Sequence, residues 1–275
     1  MKESRTALGV AWMRALHQLF DDPPLILEDR PILELLGPGA AAGAEKMRER
    51  MQEVGPRMLR AHVVLRSRFT EDRLHESLAR GVSQFVILGA GYDTFFARQP
   101  DWARSLRIFE IDQPATQQDK LAKIAAAKID IPANVTFGSV NFEAESLGDG
   151  LRRHGVDPGR PTLFSWLGVT MYLTEPAIDA TLAAVRAFPR GSEIVLTFAT
   201  RQSDGSPQAS LAAVVASMGE PWVTYYEPSE IETRLLAAGF AQVELLIPKQ
   251  AETRYFAHRR DLPVPARASI VSARV

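Results

Sequence analysis

The stretch that constrains this chain most is residues 85–112, FVILGAGYDTFFARQPDWARSLRIFEID. The apolar run 85–88 has the length and the Val/Ile/Phe content of a strand buried on both faces. It stops at Gly89-Ala90-Gly91, where missing side chains allow a tight turn and let a ligand approach the backbone. A second short strand, 107–111, ends on Asp112. An acid at a strand tip after a glycine turn is placed to accept two hydrogen bonds from the vicinal hydroxyls of a ribose. The pair reads as a nucleoside pocket at the carboxyl ends of adjacent parallel strands.

The local chemistry favours S-adenosylmethionine over a dinucleotide. A dinucleotide turn needs a third glycine so that the following helix can close on a pyrophosphate. Thr94 stands there instead, followed by Phe95 and Phe96. Asp93 adds a negative charge that repels a pyrophosphate and suits a cationic sulfonium and ammonium. The plainer alternative is a strand–turn–helix whose glycines serve only the turn.

Composition narrows the class. With 275 residues, 46% of them apolar, the chain can bury a substantial core. A net charge of −1 gives no field for nucleic acid or an anionic membrane surface. Without cysteine there are no disulfides and no thiolate metal sites, which fits a cytoplasmic protein. The amino terminus carries charges among its apolar positions and does not read as a signal peptide. No segment reaches the length of a membrane span. His17, His62, His75, His154 and His258 are not at metal-ligand spacing, so no catalytic metal is expected. Neither a Gly-x-Ser-x-Gly elbow nor a phosphate-binding GxxxxGK[ST] loop is present.

Periodicity predicts an amphipathic helix over 4–20, a short helix and a Gly/Ala/Pro-rich loop (37–43) within 25–43, and a helical block over 44–79 broken at Gly55-Pro56. Alternation follows: strand 84–89, helix 93–100, strand 107–112, helix 114–128, strand 134–139, helix 144–154, strand 161–167, helix 175–187 and strand 192–199. Helices 206–218 and 228–238 come next, then strands 241–247 and 253–257 as a closing antiparallel hairpin. Repeated βα units imply a doubly wound α/β fold with a mostly parallel, seven-stranded, Rossmann-like sheet. Residues 1–80 form a helical extension contributing to the cleft, with 1–43 able to move as a lid, and 81–275 form the cofactor-binding core.

LGAGYDT and FEIDQP followed by Lys120 resemble the leucine carboxyl methyltransferase family and its bacterial relatives, including O-methyltransferases of polyketide biosynthesis. The resemblance extends to SRTALGVAWMRA (4–15), RSRFTED (66–72), LGVTMYLT (167–174) and RYFAHRRD (254–261). It implies a class I methyltransferase using S-adenosylmethionine. Arg66 would reach the methionine carboxylate, Gly89, Ala90 and Gly91 would lie against the cofactor, Asp93 near its charged centre, and Asp112 on the ribose. Arg66 also reads as one solvated helix charge among Arg57, Arg60, Arg68 and Arg73. Glu110 shares a strand face with Asp112, as a supporting partner or a helix cap. Two positions depart from the family: Asn141-Phe142 replaces the usual Asp-Leu beside adenine, and Leu167-Gly168 replaces Glu-Gly after the fourth strand.

The implied reaction is O-methyl transfer to a carboxylate or hydroxyl of a small molecule, or to a C-terminal peptide carboxylate. A carboxylate is already ionised at neutral pH and needs no base; a phenol benefits from one. Tyr172 is the candidate group facing the acceptor, or else it packs on the neighbouring helix. Trp166, Met171, Trp222, Tyr225 and Tyr226 form either an aromatic wall for a flat substrate or part of the core. His17 and His62 are candidate bases or ordinary helix residues. A nucleotide-dependent oxidoreductase and a non-catalytic S-adenosylmethionine-binding protein are the competing readings.

Overall fold

A computed structural model describes residues 4–140, 145–201 and 207–275. The chain opens with four helices: α1 (Arg5–Phe20), α2 (Pro31–Leu36), α3 (Ala40–Met51) and α4 (Val54–Leu78). Ser4 caps α1 by accepting a hydrogen bond from the Ala7 amide at 3.1 Å. The expected break at Gly55-Pro56 falls earlier, at Gln52 and Glu53, and both residues lie in the first turn of α4. Proline costs nothing there because the first-turn amides have no intrahelical acceptor. The Gly/Ala-rich segment expected as a loop is largely helical, since α3 begins at Ala40.

The core then alternates: β1 (Gln84–Leu88), α5 (Phe95–Arg98), β2 (Arg107–Asp112), α6 (Pro114–Ala127), β3 (Val135–Ser139), α7 (Leu147–Arg153), β4 (Thr162–Trp166), α8 (Glu175–Arg186) and β5 (Glu193–Thr197). It closes with α9 (Pro207–Ser217), α10 (Pro228–Ala237), β6 (Gln242–Leu245), α11 (Pro248–Ala251) and β7 (Ile270–Arg274). The seven strands form one sheet in the order β3-β2-β1-β4-β5-β7-β6. β1 to β5 pair in parallel, and β7 runs antiparallel between β5 and β6.

Strands β1, β4 and β5 are buried along their whole length, as helices on both sheet faces require. Val86 and Leu88 point into one apolar cluster with Phe109 and Phe164, while Phe85 and Ile87 point into another with Ile108 and Leu163. Because β1 and β2 end side by side, Gly89 and Asp112 emerge at the same edge.

The predicted closing hairpin is wrong in its second strand. Residues 253–257 do not form a strand; Glu252–Phe256 is a π-helical turn continuing α11. Pro248 at the first helical position starts that unit, and Phe256 is buried against α4 residues such as Phe69. The last strand is β7, which sequence periodicity left unassigned. It is covered on both edges and faces, so Ile270, Val271 and Ala273 are all buried and show no alternation.

Candidate cofactor and acceptor site

The site lies where the glycine turn meets the tip of β2. Gly89 and Ala90 both donate to the carbonyl of Ile111, at 2.8 and 3.2 Å, and lock the turn onto the neighbouring strand. Gly89 has φ +66°, and a Cβ there would meet Val169 Cγ2 at 2.5 Å, so no other residue fits. Asp112 faces the turn. Its carboxylate accepts from the amides of Gly91 at 2.5 Å and Gln113 at 2.6 Å. Burial pushes its pKa up, against those two amides and Lys120, which favour the charged form. Two amides leave lone pairs free on the carboxylate for further donors.

Asp93 caps the short helix α5 by accepting from the Phe95 amide at 2.7 Å. Burial opposes its ionisation, but Arg14, Arg98, Lys120 and the Phe95 amide outweigh it, so its pKa lies below the usual carboxylate value. Asp93 is a fixed anion beside the glycine turn.

Arg66 is buried to 8% exposure on α4. The other arginines of that helix are engaged elsewhere. Arg57 bonds the carbonyls of Arg260 and Asp261, Arg60 pairs with Asp21, Arg73 with Glu193, and Arg68 with Asp72 at the surface. Among the described residues the Arg66 guanidinium has no hydrogen-bond or ion-pair partner. Burial, helped by Arg14, lowers its pKa to about 10, against Tyr172 and Asp93, which stabilise the cation. It lies against Gly168, where φ is +75° and a Cβ would stand 2.8 Å from the guanidinium. A glycine at that position makes room for the arginine.

These groups converge on one cavity of about 1950 Å³. Arg66, Gly89, Ala90, Gly91, Asp93 and Asp112 all line it, and so do Leu167 and Tyr172. Leu167 packs against the apolar cluster of α4. Tyr172 sits in a short 3-10 turn after β4, anchored by Gly168 N–H to Thr197 Oγ1 at 2.7 Å and by Thr170 Oγ1 to the Thr197 carbonyl at 2.6 Å. Asn141 and Phe142 lie outside the described residues. Of the expected aromatic wall, Trp166, Met171 and Trp222 line the cavity. Tyr225 does not, and Tyr226 belongs to the core beside α10.

The histidines divide. His17 is fully buried with both ring nitrogens engaged, Nδ1 with Asp21 at 2.7 Å and Nε2 accepting from the Leu27 amide at 3.4 Å. It is structural, not a base. His62 lines the cavity one helical turn before Arg66.

Sequence reasoning missed Arg14, Asp29 and Glu220. Arg14 pairs with Asp29 at 2.5 Å, donates to Thr94 Oγ1 at 2.6 Å and lies 3.6 Å from Asp93. Thr94 donates in turn to Asp29, and Arg98 pairs with Glu71 at 2.6 Å. Thr94 thus takes the place of a third glycine because it is tied to the amino-terminal helix. Arg14 sits at helical spacing from Val10 and Ala11, inside the apolar face of α1, and that misplaced charge was the available signal. Of the two readings of Glu110, the structure favours the supporting partner over the helix cap: it forms a fully buried ion pair with Lys120 of α6, the cation that favours the charged form of Asp112. Lys120 lies 5.5 and 5.6 Å from the ring centroids of Phe96 and Phe137. No group of three metal-type ligands occurs among the described residues, and no helix there is long and apolar enough to cross a membrane.

The sequence profile described as leucine carboxyl methyltransferase matches residues 7–186. The chain belongs to this family. A Bacillus subtilis (strain 168) protein named "Putative S-adenosyl-L-methionine-dependent methyltransferase YktD" is 31% identical over 94% of this chain and 93% of its own length. A Streptomyces avermitilis protein of the same descriptive name is 28% identical over 90% of this chain and 91% of its own. The crystal structure of a methyltransferase so described from Thermobifida fusca YX superposes with a TM-score of 0.57 at 21% identity, covering 99% and 95% of the two chains. The fold is that of class I methyltransferases, and the family member is an S-adenosylmethionine-dependent methyltransferase. That membership decides against a nucleotide-dependent oxidoreductase.

Proposed function

We propose that this methyltransferase transfers its methyl group to oxygen, on a carboxylate or hydroxyl of a small molecule or on a free C-terminal carboxylate. Family membership, with its carboxyl-directed description, carries the reading. The near-neutral charge supports it, because the chain offers no basic track for nucleic acid.

The residues present fit the cofactor. Arg66 is a buried cation with no carboxylate partner among the described residues, suited to the methionine carboxylate as a planar two-pronged donor. Asp112 has unused lone pairs for the ribose hydroxyls, the backbone from Gly89 to Gly91 would lie against the cofactor, and Asp93 supplies fixed negative charge near its cationic centre. Leu167 offers an apolar contact where the family resemblance implies an acid. Asn141 and Phe142 are proposed to meet adenine. S-adenosylmethionine supplies a methyl group activated by its sulfonium. The protein contributes alignment and exclusion of water, which account for much of the acceleration of such a displacement. Tyr172 is proposed to face the acceptor from the turn after β4.

Two measurements test this. Asp112→Ala should weaken S-adenosylhomocysteine binding about tenfold or more, the loss of a charged hydrogen-bond acceptor; unchanged calorimetric affinity would remove Asp112 from the ribose. Products formed from isotopically labelled cofactor should be methyl esters cleaved by mild base, or methyl ethers identified by NMR. An N-methyl product would defeat the oxygen assignment.

A further inference from the structure

The cavity is larger than a cofactor needs. At about 1950 Å³ it is roughly twice the upper end of ordinary small-molecule sites, so it has room for two ligands. Apart from Arg66 on α4, the proposed cofactor residues among those described occupy the edge of β1, β2 and β4. The remaining wall comes from α8, from the region of α9, from the segment before β7 with Ser269, and from the amino-terminal extension, which supplies Met13 of α1, Met51 of α3, and Met58 and His62 of α4. Five of the seven methionines of the chain line the cavity, since Met171 and Met218 join those three. Methionine is flexible and polarizable, and a wall built from it accepts apolar ligands of varied outline.

Polar side chains interrupt the methionine wall, Arg14, Glu53 and Ser67 among them, and His62 is the one that stands a helical turn from Arg66. His62 Nδ1 is engaged with Ser269 Oγ at 3.4 Å, and Nε2 has no partner among the described residues. Burial, with Arg66 one turn along the helix, lowers its pKa to about 3, so the ring is neutral. A neutral imidazole with one nitrogen held by a hydroxyl presents the other as an uncharged, oriented hydrogen-bonding group.

We propose that His62 Nε2 is the hydrogen-bonding contact for the methyl acceptor's oxygen, and that the acceptor is a predominantly apolar molecule carrying one ionisable oxygen, its body held by the methionine-lined wall of the extension. The proposal rests on the oxygen-directed reading above and adds where the acceptor lies and what holds it. His62 neighbours Arg66 on the same helix face, so an oxygen at Nε2 lies on the side of the cavity next to the cofactor's methionine end. The methionine side chains exclude water around that oxygen, and the His62 contact fixes which oxygen is presented.

The experiment uses the full chain saturated with S-adenosylhomocysteine and two probes, 4-octylphenol for a hydroxyl and dodecanoate for a carboxylate. With ¹⁵N-labelled histidines, the His62 imidazole resonance is assigned by its loss in His62→Gln. Addition of the preferred probe should shift that resonance and leave that of His17 in place. His62→Phe should weaken the probe at least tenfold, His62→Gln less, and Met58→Trp at least tenfold, with S-adenosylhomocysteine affinity within about twofold in all three. Binding of neither probe, binding without movement of the His62 resonance, or equal effects of Phe and Gln would overturn the proposal. Methylation of nitrogen in a natural product would defeat the oxygen-directed reading instead, whatever the probes did.

Discussion

Two buried arginines line the same cavity, and only one of them is spoken for. Arg14, on the first helix, is enclosed by Asp29, Thr94 and Asp93 and ties the amino-terminal extension to the turn that follows β1. Arg66, on α4, is almost as buried and donates to nothing among the described residues. Burying a cation without a partner is costly, and proteins tolerate it where a ligand completes the pairing. The difference separates an arginine paired within the fold from one suited to the anion proposed for it.

Arg14→Ala should be the most damaging change. It removes the nearest cation from buried Asp29, which keeps Thr94 and the more distant Arg98 at 3.5 Å, and cuts the link between α1 and the glycine turn, so the expected loss is about 3 kcal/mol. Chemical denaturation would measure it; a loss below about 1 kcal/mol would show that the cluster is not what joins the extension to the core. Arg66→Met should behave oppositely. Stability should hold or rise, while S-adenosylhomocysteine binding weakens about ten- to a hundredfold, for charge-assisted bonds worth roughly 1.5–3 kcal/mol. If both variants lost stability equally, the division between them would collapse.

How much of this contrast the sequence discloses follows from range. The glycine turn, Asp93 and Asp112 are local: a strand, a tight turn and an adjacent strand tip fix them within thirty or so residues, and parallel βα alternation does the rest. Arg66 was legible only through the family motif, because five arginines of one helix look alike until packing assigns each a partner. Arg14 and Asp29 pair across a helix–loop connection and with Thr94 in another element, and no periodicity encodes such a triangle. The last strand hid for a related reason. Sandwiched between β5 and β6, β7 has no polar face to alternate, while Glu252–Phe256 carried enough β-prone residues to imitate a strand.

The unpaired arginine should also leave a signature in acid. Burial and Arg66 hold the folded His62 pKa at about 3, below its ordinary value of 6.5. Between those values the unfolded chain binds the proton and the folded chain does not. Stability contributed by the neutral ring is therefore present above pH 6.5 and is lost as pH falls toward 3, by up to about 1.4 kcal/mol per pH unit. His62→Gln should flatten that part of the acid limb, and Arg66→Met should flatten it partly by removing the neighbouring charge. Parent and His62→Gln curves of identical slope would mean that the ring is not kept neutral.

The smallest expected effect separates the two ends of the first helix. Arg14 fixes its middle; Glu220 holds its start, accepting from the Arg5 amide at 2.9 Å and the Ser4 hydroxyl at 3.0 Å, with Thr6 as a further donor. Both Ser4 and Glu220 line the cavity, so this contact joins the extension to the segment after α9 at the cavity wall. A carboxylate at a helix amino terminus is worth about 0.3–1 kcal/mol through the aligned backbone dipoles. Glu220→Gln keeps the shape and removes the charge. Amide exchange should then quicken about two- to fivefold over the first turns of α1, while the turns around Arg14 keep their protection. In that case the moving part of the expected lid is only the first turns of α1, hinged on the Arg14 cluster. Uniformly faster exchange along α1 would mean that the helix opens as one unit and that Arg14 is no independent anchor.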